Sequence, residues 1–120
     1  MQALYTKIFA ILLVFLGEAL AIYAEIIAAR IISNTSLSFL QVFLRAFLII
    51  IIGGAFLVIG YMRGIDTFKN IWIVSVISIT SILIIEPILN YTIFHQLPTK
   101  GAALGFIFGA LGFILALFIK

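Results

Sequence analysis

Polar residues fall in a few short knots along this chain, and the runs between them are almost unbrokenly apolar. The first run covers about 3–32 and stops at Ser33-Asn34-Thr35-Ser36. The second covers about 39–62 and stops at Arg63-Gly64-Ile65-Asp66. The third opens at Lys69 or Asn70 and reaches about 94; the fourth follows Pro98-Thr99-Lys100-Gly101 and covers about 101–119. A helix needs ~20 mostly apolar residues to cross ~30 Å of hydrocarbon, so each run is long enough. Their β-branched content favours strands. The in–out alternation of a membrane barrel is missing, however, and in lipid the backbone must satisfy its own hydrogen bonds. The pattern therefore predicts an all-α integral membrane fold, one four-helix domain over residues 1–120. Short connections make consecutive helices antiparallel and leave no room for a soluble active site. The first run superficially resembles a leader, with Lys7 ahead of residues 8–16 and small residues at Ala19 and Ala21. Its hydrophobicity continues to Ile32, which predicts a retained helix.

Composition narrows the chemistry. Of 120 residues, 66% are hydrophobic and 9% charged, and the mean hydropathy is +1.41. That leaves too little polar surface for a soluble domain. With no cysteine, disulfides, thiolate metal sites and cysteine nucleophiles are excluded. A single histidine, His95, cannot build a metal centre, so no cofactor is expected; without a nucleophile–base pair, neither is enzymatic activity. The net charge of +3 is scattered, which fits membrane ends better than nucleic-acid binding. Lys7, Arg63, Lys69 and Lys120 fall on one side; Arg30, Lys100 and a deeper Arg45 fall on the other. That weak bias places both termini in the cytoplasm, and it equally suits copies inserted both ways.

Ionisable residues inside a span are costly and often functional. Glu18, Glu25, Arg45 and Glu86 qualify. Glu18 and Glu25 share one face of the first helix, about two turns apart, beside Ala21, Ala28 and Ala29. Counting from the polar knots at ~1.5 Å per residue puts Glu25, Arg45 and Glu86 in one layer, where a carboxylate–guanidinium–carboxylate cluster is sterically sensible. Two readings follow. A desolvated carboxylate can exchange its proton for a cationic substrate, or Arg45 can neutralise Glu25 or Glu86 and merely fix helix packing. Pro87, next to Glu86, is expected to kink the third helix. Gly101, Gly105, Gly109 and Gly112 share one side of the fourth helix, a face suited to close packing within the chain or in a dimer. Trp72, at the mouth of the third helix, has the position of an interfacial anchor.

Several of these segments resemble one transporter group. Ala21-Ile22-Tyr23-Ala24-Glu25-Ile26-Ile27-Ala28 resembles the first helix of small multidrug resistance transporters, where an alanine precedes the essential membrane glutamate. Phe94-His95-Gln96-Leu97-Pro98-Thr99, with Gly105 and Gly112 seven residues apart, resembles the last hairpin of the wider drug/metabolite transporter superfamily. Leu44-Arg45-Ala46-Phe47 and Glu86-Pro87-Ile88-Leu89 resemble motifs of its larger members. The resemblance implies an antiparallel dimer joined through helix four, with helices one to three lining a chamber. Glu25 would then bind proton and substrate alternately, and Trp72 would contact substrate. Lys69, in place of a tyrosine, and the added charges Glu18, Arg45 and Glu86 depart from that pattern.

The expected function is proton-coupled transport of small cationic or amphiphilic compounds by alternating access. The expected partners are membrane lipid, a small-molecule cation and a second copy or a paralogue, in the cytoplasmic membrane of a prokaryote. The alternatives are a non-transporting packing subunit of a larger membrane complex and a partner subunit of a lipid-linked sugar flippase.

Overall fold

A computed structural model describes residues 2–34 and 36–119. It holds four helices: α1 (Gln2–Asn34), α2 (Phe39–Phe68), α3 (Ile71–Phe94) and α4 (Lys100–Phe118). All four are long and apolar enough to cross a membrane, and the described residues contain no strand. At ~1.5 Å per residue α1 is roughly 50 Å long, which accounts for the 51 Å long axis of the molecule. That is longer than the ~30 Å needed to cross a hydrocarbon layer. In the first turns of α1, Tyr5, Thr6 and Phe9 border a cavity shared with Arg63, Asp66 and Thr67 at the end of α2.

Helix ends follow local chemistry. Ser38, Asn70 and Thr99 are N-caps, each side-chain oxygen accepting a backbone N–H, from Gln41, Trp72 and Ala102 respectively. Lys69 and His95 close α2 and α3 in the left-handed region, at φ 60° and 58°, their N–H groups donating to Ile65 and Tyr91 carbonyls at 3.0 and 2.8 Å. One boundary departs from the sequence expectation. α2 does not stop near Met62 but runs six residues further, to Phe68. Polar residues at 63–66 do not by themselves end a helix, and Gly64 serves as a packing position. A Cβ there would lie 2.9 Å from Val74 Cγ2. The α2–α3 connection is consequently only Lys69-Asn70.

The bundle is built on α1. It lies against both α2 and α3, whereas α4 touches α3 alone. The α1–α2 seam depends on glycines: a Cβ on Gly53 would sit 3.0 Å from the Gly17 carbonyl oxygen, and one on Gly60 2.8 Å from Val14 Cγ2. These pairings run in opposite chain directions, so the two helices are antiparallel at close backbone approach. The α1–α3 contact is branched and apolar, with Ile22 and Ile26 buried against Ile85 and flanked by Phe15, Ile82 and Leu89. α3 remains one helix through Pro87. α4 has no buried residue.

Candidate functional site

Beyond the glycine seam, the C-terminal half of α1 and the N-terminal half of α2 enclose a cavity of about 300 Å³. Ala28, Ala29 and Ala46 are too small to fill it, while Phe39, Phe43 and Ile50 give it apolar and aromatic walls. Glu25 is its one charged lining residue. Glu25 is exposed, with Ala28, Ala29 and Ala46 among the residues around the same cavity. Its carboxylate has no ion-pair partner among the described residues.

The expected three-charge cluster does not form within the subunit. Depth is not the obstacle. Ile26 and Ile85 pack together, so their neighbours Glu25 and Glu86 lie at one level, and Ala46, beside Arg45, lines the Glu25 cavity. Position around α2 matters instead: Arg45 lies about 60° from Val42 and about 100° from Ala46 at ~3.6 residues per turn, at the edge of the face that lines the cavity, and is not itself among the lining residues. Arg45 is exposed and Glu86 half-buried, neither in an ion pair. The one ion pair among the described residues is Lys69–Asp66, 3.8 Å apart on the exposed end of α2.

Glu18 has a different setting. Its carboxylate accepts a 2.5 Å hydrogen bond from the hydroxyl of Ser78, a buried residue of α3. That contact ties α1 to α3 deep in the bundle, and Ser78 was not among the candidates read from the sequence. Its one available signal is the recurrence of serine at Ser75, Ser78 and Ser81, three residues apart along one side of an otherwise apolar helix. The other serine and threonine hydroxyls of α3 that have partners, Ser81 and Thr92, bond back to carbonyls of their own helix.

Trp72 is 76% exposed in the first turn of α3 and is not among the residues lining the Glu25 cavity. Of the α4 glycines, Gly109 faces Leu83 at 3.4 Å, whereas a Cβ on Gly101, Gly105 or Gly112 would meet open space. Arg30 lies 5.7 Å from the centroid of the Phe94 ring, an ordinary cation–π arrangement at the far end of α1. Among the described residues no group of acids or histidines could hold a metal ion.

Comparison with protein-family models, with curated proteins and with solved structures finds no match to the chain. The class the fold defines is thus the coarse one: four apolar helices that fit a membrane protein.

Proposed function

We propose that this chain is a membrane transporter subunit, resembling the small multidrug resistance type, that exchanges protons for small cationic or amphiphilic compounds at Glu25. The observation that carries this reading is an unpaired carboxylate in an otherwise apolar, aromatic-walled cavity. An ionised Glu25 supplies the negative charge, and Phe39 and Phe43 supply surfaces for the apolar part of a lipophilic cation. Protonation removes the charge and releases the cation, so one carboxylate couples the two fluxes. Arg45 forms no ion pair with that carboxylate among the described residues and does not line the cavity, which leaves Glu25 free to act in this reading.

A pair of subunits completes the chamber in this reading. The open glycine edge of α4 is suited to the contact, since lipid-embedded helices associate through small residues. Reconstituted Glu25→Gln protein is expected to lose proton-coupled uptake of a quaternary ammonium compound while retaining its oligomeric state. Undiminished coupled uptake by that variant refutes the mechanism. The packing-subunit alternative draws on the exposed α4 and on the structural use of Glu18. It predicts no proton release when cations are added to purified protein.

A further inference from the structure

A larger cavity, of about 460 Å³, lies between the last turns of α3 and the first turns of α4, under the connection that carries Gln96. Pro87 on α3 and the small residues Ala102 and Ala103 on α4 border it, while the close α3–α4 contact, Gly109 on Leu83, lies further along. The lining is mixed in a particular way. Phe94 and Phe106 are apolar, Asn90 and Gln96 bring carboxamides, and no acidic or basic side chain borders the space. Neither carboxamide has a hydrogen-bond partner among the described residues. Asn90 is half-buried near the end of α3 and Gln96 is exposed in the connection that follows, so both carboxamides are available to a molecule in the cavity.

We infer that this cavity is a second ligand site, one that takes an uncharged amphiphile with a hydroxyl- or amide-bearing head. The two carboxamides together offer donors and acceptors to such a head, and the absence of charge in the lining disfavours an ionic one. The apolar portion of the ligand lies along Phe94 and Phe106. Pockets of this size with a few convergent polar groups on aromatic walls are the usual form of a small-ligand site. The inference stands apart from the cation reading, because Glu25 lines a different cavity, between α1 and α2.

The test uses the full chain in phosphatidylcholine nanodiscs and a photoactivatable monoacylglycerol, with labelled positions located by peptide mass spectrometry. Saturable labelling concentrated in residues 87–106 is expected. It should fall about ten-fold both in an Asn90→Leu, Gln96→Leu double variant and in Ala102→Phe, which fills the space. Thermal melting verifies that both variants remain folded, and Glu25→Gln should leave the labelling unchanged. Labelling spread evenly over the apolar helices overturns the proposal, as does labelling that survives both variants, the result expected of a water-filled notch. Equal competition by anionic phosphatidylglycerol overturns the assignment to uncharged ligands.

Discussion

Lys69 and His95 hold the left-handed conformation that glycine adopts most readily. For a residue with a side chain that conformation costs roughly 1–2 kcal/mol, of which a glycine returns part after its own entropic penalty. Lys69→Gly and His95→Gly should each raise stability by about 0.5–1 kcal/mol, read as a higher melting temperature in detergent. The Lys69–Asp66 pair that the first variant removes is exposed and of little weight. Ser78→Ala should act in the opposite sense. It leaves the Glu18 carboxylate without its donor at the α1–α3 contact, a loss of about 1–3 kcal/mol. Arg45 provides the contrasting case. With Arg45 outside the lining of the Glu25 cavity, Arg45→Leu should leave cation affinity unchanged; tighter binding in that variant would show that the guanidinium competes for the carboxylate. The four charged candidates were all legible in the sequence as expensive residues in apolar runs. Their partners were not, because a partner depends on the angle at which a neighbouring helix presents it.

Among the helices, glycine carries two different meanings. Those of α4 attract notice through their regular spacing, yet three of the four have nothing near them. Of those that pack inside the subunit, Gly53, Gly60 and Gly64 recur seven and four residues apart along α2, and their partners, Gly17 and Val14 on α1 and Val74 on α3, belong to other helices that spacing alone does not name. Gly53→Ala places a methyl group 3.0 Å from a backbone oxygen that cannot move aside, and should destabilise by about 1–3 kcal/mol. Gly54→Ala, with open space at its Cβ, should be neutral or slightly stabilising by the same melting measurement. Gly105→Leu with Gly112→Leu should leave melting unchanged and reduce self-association in lipid, measured by energy transfer between labelled copies. Unaltered association would move the pairing surface to another helix.

For the whole molecule, the placement of apolar side chains is inverted relative to a soluble protein. Trp72, Phe39 and Phe118 are each at least 76% exposed, and α4 buries nothing. Water cannot cover such a surface at tolerable free energy; lipid and partner helices can. Four apolar helices follow from the sequence by itself, because the length of an apolar run acts locally. The shared depth of Glu25 and Glu86 was also readable, since rise per residue is constant along a helix. What only the tertiary structure decided is lateral. It separated Glu25 from Arg45, joined Glu18 to Ser78, set the seam on α1 and α2 glycines, and opened a cavity beside Asn90. The physical reason is that helices apolar on every side can rotate about their axes without exposing anything new to lipid. Only close packing against a neighbour selects the angle.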